Sequence, residues 1–122
     1  MVSMEDILKA HLINSEAVEG EETNEIRVRF KKTVQTKQYE SEVIEADTAF
    51  KVPMKMTGAE RLFITTALQA QLEFEVYVGL FLKQQITEAE FKQRKLALEN
   101  QINTVKTKAE TVLGKSIDYL LD

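Results

Sequence analysis

Residues 57–91 read TGAERLFITTALQAQLEFEVYVGLFLKQQITEAEF, and this stretch decides the fold because it contains the starts of two helices. Thr57 and Glu60 have the spacing of a capping box, in which the threonine oxygen accepts from the backbone N–H three residues on and the glutamate reaches back. Thr87 and Glu90 repeat that spacing. The few residues between the two predicted helices make the helices antiparallel neighbours.

The first predicted helix runs to about Lys83 and is apolar on more than one side. A helix on a protein surface needs a single apolar stripe, so this helix is expected to be covered from several directions. Its apolar length would suffice to span a bilayer, but Glu73 and Glu75 stand in the middle, where carboxylates are costly in lipid. No membrane partner is predicted.

The second predicted helix carries apolar residues seven apart and continues to Leu121, with Gly114 as the expected break. Apolar residues beyond what one sheet could cover predict a homo-oligomer, with a dimer of two helical hairpins across a two-fold axis favoured. The alternative is a monomer whose sheet and N-terminal helix cover these residues. The predicted oligomer interface consists of Phe63, Phe74, Phe81, Phe91, Leu98, Ile102, Val105 and Val112.

An alternation with a period of two precedes the helices and predicts strands. Ile26, Val28 and Phe30 fall on one face of the first strand, residues 39–46 form the return strand, and residues 50–56 form a third strand. A pairing of Val34 with Tyr39 would place Phe30 opposite Val43. The predicted fold class is α+β, with a small antiparallel three-stranded sheet followed by a long antiparallel helical hairpin.

The chain is organised as one domain with three parts, namely 1–25, 26–56 and 57–122. Residues 1–25 hold seven acids against Lys9 alone and include a short amphipathic helix at residues 4–13. This part is interpreted as a solvated acidic arm, or alternatively as a docking peptide for a basic partner.

Residues 26–56 are the part of the chain most indicative of a function. Their cations can follow a phosphate backbone, and their aromatic residues can stack on unpaired bases. The alternative is that Glu40, Glu42 and Glu45 of the return strand neutralise the cations across the ladder. The residues predicted to bind nucleic acid or another phosphate-bearing ligand are Arg27, Arg29, Lys31, Lys32, Lys37, Tyr39, Lys51 and Lys55. Phe30 is a weaker stacking candidate because its parity directs it into the core.

Catalysis has little support in the residue inventory of the 122-residue chain, so an enzyme is not predicted. There is no cysteine, His11 is the only histidine, and the glycines stand singly rather than in a phosphate-binding loop. No cofactor or metal is expected. The formal charge of −4 disfavours a surface that is basic throughout, and no signal peptide is visible, so a cytoplasmic location is expected.

Two short stretches resemble known families. Residues 32–40, KTVQTKQYE, resemble the β-hairpin opening of small, mostly uncharacterised bacteriophage and prophage proteins. Residues 85–95, QITEAEFKQRK, are similar to a short oligomerisation motif found at the C-terminal ends of many bacterial and phage chains. The resemblance implies a phage or bacterial origin and an assembly role, with no catalytic residues.

The sequence is therefore compatible with two functions. The first is a non-enzymatic, self-associating phage-type accessory protein whose basic hairpin binds single-stranded nucleic acid or a phosphate-bearing ligand. The second is a protein–protein interaction module, such as an inhibitor of a host or defence protein or a virion or assembly component.

Overall fold

The computed structural model describes residues 1–10, 12, 23–37 and 40–121, apart from the side chains of residues 36 and 37. The fold is α+β, with an antiparallel two-stranded sheet followed by two long helices. The elements are α1 (Met4–Lys9), β1 (Thr23–Lys37), β2 (Glu40–Pro53), α2 (Gly58–Leu82), α3 (Glu88–Leu113) and a 3₁₀ helix (Asp118–Leu121).

The predicted starts of the two long helices are confirmed by the caps, whereas α1 ends at Lys9 rather than at residue 13. The Glu60 N–H donates to the Thr57 hydroxyl at 3.2 Å, and the Thr57 N–H donates to the Glu60 carboxylate at 3.1 Å. The Glu90 N–H donates to the Thr87 hydroxyl at 3.1 Å. Gly114 ends α3 with a φ of 69°, a left-handed conformation that glycine adopts without steric cost, so the expected break is also confirmed.

The predicted third strand is wrong. Residues 40–53 form one continuous strand that joins the predicted return strand to the predicted third strand. The register also differs, because Val34 lies opposite Glu42 and Phe30 lies opposite Ala46. Two adjacent β-branched residues account for the difference in register. A pairing of Phe30 with Val43 would turn Val43 towards the core, but Val43 is 52% exposed and the partly buried Ile44 lies on the same face as Phe30.

One face of the hairpin, called the inner face, packs on α2. Ile26, Val28 and Val34 of β1 are buried there, and the Phe30 ring lies 6.1 Å from the ring of Tyr77 on α2. The opposite side of α2 packs on α3 through a core that includes Phe63, Phe74, Leu98 and Ile102. Because α2 is covered by both the hairpin and α3, its apolar residues on several sides are accounted for.

The first residues of the chain pack on α3 rather than standing free. The Val2 N–H and C=O both bond to the Asn103 carboxamide, at 3.0 Å and 2.8 Å, and the Met4 N–H donates to Glu99 at 2.7 Å. Ile7 is fully buried. Of the predicted acidic arm, residues 1–10 are thus docked and residues 23–25 belong to β1, while residues 11 and 13–22 lie outside the described part of the chain.

The last described residues fold back onto the start of α2. Ile117 is fully buried, and the Tyr119 hydroxyl donates to the Glu60 carboxylate at 2.7 Å. That hydrogen bond raises the pKa of Tyr119 to about 12. Burial alone would raise the pKa of Glu60, but the hydrogen bonds from Tyr119 and Thr57 lower it on balance.

Among the helices of the described residues, none combines the length and the hydropathy that crossing a bilayer requires.

Candidate interaction surface

The face of the hairpin that points away from α2, called the open face, carries cations and carboxylates side by side. The cations Arg27, Arg29, Lys31 and Lys51 share it with Glu25, Glu45 and Asp47. The Arg29 Nε lies 3.1 Å from Asp47 and 3.8 Å from Glu45, and the Arg27 guanidinium lies 3.5 Å from Asp47 and 3.4 Å from Glu25.

These pairs lower the positive potential of the open face without adding much stability. Both arginine side chains are more than half exposed, and exposed ion pairs contribute about 0–1 kcal/mol each. A phosphate approaching Arg29 would have to compete with two carboxylates that already contact the guanidinium. The four cations are nearly balanced by three carboxylates, so the face is only weakly basic.

The other predicted binding residues do not join Arg27 and Arg29 on one surface. Lys32 lies on the inner face, with its ammonium 5.2 Å from the centre of the Tyr77 ring. Lys55 lies in the turn after β2. Tyr39 and the side chain of Lys37 lie outside the described residues.

A polar seam runs between β1, α2 and α3 around Tyr77. The Arg94 guanidinium lies 5.9 Å from the Tyr77 ring centre, and its Nε donates to Glu73 at 2.7 Å. Glu73 is 7% exposed, so its carboxylate needs this partner to remain in the interior. Lys32 and Arg94 therefore flank one aromatic ring and are occupied by the chain itself.

The outer edge of β1 is partly closed by α2. The Gln69 carboxamide accepts from the Arg29 N–H at 3.3 Å and donates to the Arg29 C=O at 2.6 Å. One side-chain amide thus takes the place of a neighbouring strand at this residue. Both backbone groups of Arg29 consequently point away from β2, which fixes the direction of every second residue along the ladder.

The outer edge of β2 is open. Asp47 faces Arg29 across the ladder, so the N–H and C=O of Asp47 also point outward, as do those of every second residue on either side. Within the described part of the chain, no backbone partner meets these groups, because the sheet has only two strands. The residues with outward backbone groups are Ser41, Val43, Glu45, Asp47, Ala49 and Lys51.

The inner face of β2 is also incompletely covered. Ile44, Ala46, Thr48 and Phe50 are each only partly buried, whereas Ile26 and Val28 on the opposing strand are buried. The helix α2 therefore lies mainly under β1. Unpaired backbone groups and partly exposed apolar side chains occur together along β2, as expected for an edge strand that can pair with another strand.

The residues predicted for the oligomer interface are mostly used within the chain. Phe63, Phe74, Leu98 and Ile102 are buried between the helices. Phe81, Phe91 and Val105 are partly buried, with the Phe81 and Phe91 rings stacked at 4.9 Å. Val112 is 77% exposed. The homo-oligomer stays a prediction, and only part of its predicted interface lies on the surface.

Two side-chain carboxamides that were not predicted as functional bind backbone groups. Gln69 of α2 donates to the C=O of Arg29 in β1, and Asn103 donates to the C=O of Val2. A polar residue in an apolar stretch was the available signal: Gln69 and Asn103 both stand next to buried apolar residues, Leu68 and Ile102. The β2 edge was missed because the strand was divided in two.

No group of three or more histidine, cysteine, aspartate or glutamate residues suited to a metal ion occurs in the described ranges. No protein-family model matches the chain, and neither the curated proteins nor the solved structures give a match.

Proposed function

We propose that this chain is a non-enzymatic protein-interaction module that takes up an extended strand from a protein partner at the free edge of β2. The observation that carries this proposal is the row of outward backbone groups from Ser41 to Lys51 beside partly exposed apolar residues. An added strand would satisfy those groups and cover Ile44 and Phe50 in one step. Strand addition is a common mode of peptide recognition.

The β2 edge has few of the features that usually protect such edges. Proteins blunt an edge with short strands, proline, bulges, charged side chains or a covering element, and between Ser41 and Lys51 only the charged side chains are present, namely Glu42, Glu45, Asp47 and Lys51. Here β2 has 14 residues, its proline stands at the last position, and the register irregularity lies near the hairpin tip between Gln35 and Lys37. The edge from Ser41 to Lys51 is therefore regular and long enough for pairing.

The second candidate function is binding of single-stranded nucleic acid on the open face. Lys31 favours it, since this exposed residue makes no ion pair with any residue that the structure describes. Against it stand the carboxylates around Arg27 and Arg29. Phage-type origin and cytoplasmic location remain predictions under either function.

Two variants separate these functions. Ala49→Pro removes an outward N–H while leaving the hydrogen bonds between β1 and β2 in place, because Ala49 faces Arg27 in a non-hydrogen-bonded pair. The triple variant Arg27→Glu, Arg29→Glu, Lys31→Glu reverses the open face but leaves the edge intact. Circular dichroism of both variants verifies that they fold.

Strand addition predicts that Ala49→Pro abolishes capture of a protein partner by the immobilised chain and that the triple variant retains it. Nucleic-acid binding predicts instead that the triple variant abolishes the fluorescence anisotropy change of a labelled single-stranded oligonucleotide and that Ala49→Pro preserves it. Loss of partner capture in the triple variant together with retention in Ala49→Pro would contradict the proposal.

Amide hydrogen exchange tests the edge directly in dilute protein. The outward N–H groups of Glu45, Asp47 and Ala49 should exchange at least about 100-fold faster than the inward N–H groups of Ala46 and Thr48, because only the inward groups are hydrogen-bonded. Equal protection of the two sets would show that the chain itself covers the edge.

A further inference from the structure

We infer that the strand added to the free edge is β2 of a second copy of this chain, antiparallel, with Thr48 facing Thr48 of the partner subunit across a two-fold axis. This inference rests on the proposed function, because it uses the same edge. The resulting sheet would have four strands in the order β1–β2–β2–β1. Gln69 and α2 cover the β1 edge at Arg29, so the sheet stops there and the dimer closes.

The direction of the backbone groups restricts the register. A two-fold axis perpendicular to the sheet pairs residues whose side chains share a face, and the outward groups belong to the odd-numbered residues of β2. With Thr48 at the axis, Glu45 exchanges hydrogen bonds with Lys51 of the partner subunit, and Asp47 does so with Ala49 of the partner subunit. Each pair occurs twice by symmetry, so the central stretch of the edge is fully paired.

The side chains on the open face complement each other in this register. Glu45 lies directly opposite Lys51 of the partner subunit, and the symmetric pair repeats the contact on the other side of the axis. Opposite charges that face each other across a strand pair contribute roughly 0.2–1 kcal/mol each. Asp47, which already contacts Arg29, faces a small alanine rather than another carboxylate.

The inner face is complementary as well. Ala46 lies opposite Phe50 of the partner subunit, so a small residue meets a large one. Ile44 lies opposite Val52 of the partner subunit, which is already buried within its own chain. Ile44, Ala46 and Phe50 are the partly exposed residues of β2. The second copy would thus cover the apolar surface that α2 leaves open.

Neighbouring registers are worse. A two-fold axis at Asp47 places two carboxylates directly opposite each other, which is destabilising. An axis at Ala49 places Glu45 opposite Pro53 of the partner subunit, and proline has no N–H to donate. In the Thr48 register Pro53 meets only Val43 of the partner subunit at the end of the pairing, and residues 44–52 pair without either defect.

Cysteine crosslinking tests the register, and the chain has no native cysteine to interfere. Residues in a non-hydrogen-bonded antiparallel pair have Cα atoms about 4.5 Å apart, which a disulfide can bridge. Thr48→Cys should therefore form a disulfide-linked dimer on mild oxidation, seen on a non-reducing gel. Ala49→Cys is the matched control, because its two copies would be offset by two residues and lie about 8 Å apart, beyond disulfide reach.

A charge-complementation experiment tests the same geometry without a covalent bond. Glu45→Lys alone and Lys51→Glu alone each create two like-charge pairs in a homodimer, so each variant should dimerise about tenfold more weakly than the native chain by sedimentation. An equimolar mixture of the two variants restores opposite charges in both pairs. The mixture should recover the native affinity as a heterodimer detected by native mass spectrometry.

Three results would overturn the inference. These are the absence of crosslinking in folded Thr48→Cys protein, crosslinking of Ala49→Cys at an equal rate, and a mixture no tighter than its components. If the outward amides of β2 still exchange rapidly in that case, the edge is free and only the second-copy partner is wrong. Protection of those amides in dilute monomer would contradict both proposals.

Discussion

The two strands of the hairpin have similar alternating sequences but different surroundings. On β1, Ile26 and Val28 are buried, and Gln69 holds the backbone of Arg29 at the edge. On β2, the inner residues between Ile44 and Phe50 are partly exposed, and no second strand adjoins the edge in the described residues. Both strands place large apolar residues on the inner face, Ile44 and Phe50 on β2 among them, so hydropathy alone does not account for this difference. The position of α2 under β1 causes it.

A large difference in unfolding free energy is expected between matched truncations on the two strands. Ile26→Ala removes a 5% exposed side chain and should destabilise the monomer by about 2–4 kcal/mol. Ile44→Ala removes the same atoms from a partly exposed position, where less contact is lost, and should cost about 1 kcal/mol. Urea denaturation at a protein concentration where sedimentation finds a monomer measures both values. Equal losses would show that α2 covers the two strands alike.

The Gln69 contact can be removed so that the edge of β1 resembles that of β2. Gln69→Ala deletes both hydrogen bonds to Arg29 and should lower the unfolding free energy by about 1–2 kcal/mol. The Arg29 amide should lose its protection from hydrogen exchange. Gln71→Ala, a change of the same type two residues along the same helix, serves as the control and should leave the Arg29 amide protected.

The start of α2 is held to the end of the described chain, because the Tyr119 hydroxyl donates to the Glu60 carboxylate. Because the pKa of Tyr119 is raised from 10.0 to about 12, the stabilising contact is fully present below pH 10 and is lost as the pH rises towards 12. Tyr119→Phe should cost about 0.5–1 kcal/mol at neutral pH. It should also flatten the pH dependence of stability in that window, which chemical denaturation at several pH values checks.

The smallest effect is expected on the open face. Arg29→Ala breaks the contacts with Asp47 and Glu45. The side chains of Arg29 and Glu45 are more than half exposed and that of Asp47 is partly exposed, so the loss should be about 0.5 kcal/mol and should shrink in high salt. A loss comparable to that of Ile26→Ala would mean that the ion pairs, rather than burial under α2, hold β1 in place.

The starts and the end of the long helices could be predicted from local sequence signals. Both capping threonines and the terminating Gly114 act through neighbours within a few residues, so their effect can be read without knowing the tertiary structure. The antiparallel arrangement of α2 and α3 follows from the short connection between them.

The strand pairing could not be predicted in the same way, because its register depends on contacts between residues distant in sequence. Val43 and Ile44 are both suited to an inner face, and only the packing against α2 decides between them. The hairpin connection has no Asn-Gly or Asp-Gly signal to fix the pairing. Because β2 was predicted as two short strands, its long unpaired edge, on which the proposed function rests, could not be predicted.

The hydrogen bonds between Asn103 and the backbone of Val2 have a consequence for the order of folding during synthesis. Asn103 is separated from Val2 by 101 residues, so the N-terminal segment has no docking surface until most of the chain has left the ribosome. The pairing of α2 with α3 and of β1 with β2 involves shorter loops and closes earlier. The segment around Val2 is therefore expected to be among the last to pack in its native position, and a slow final phase in refolding should belong to it.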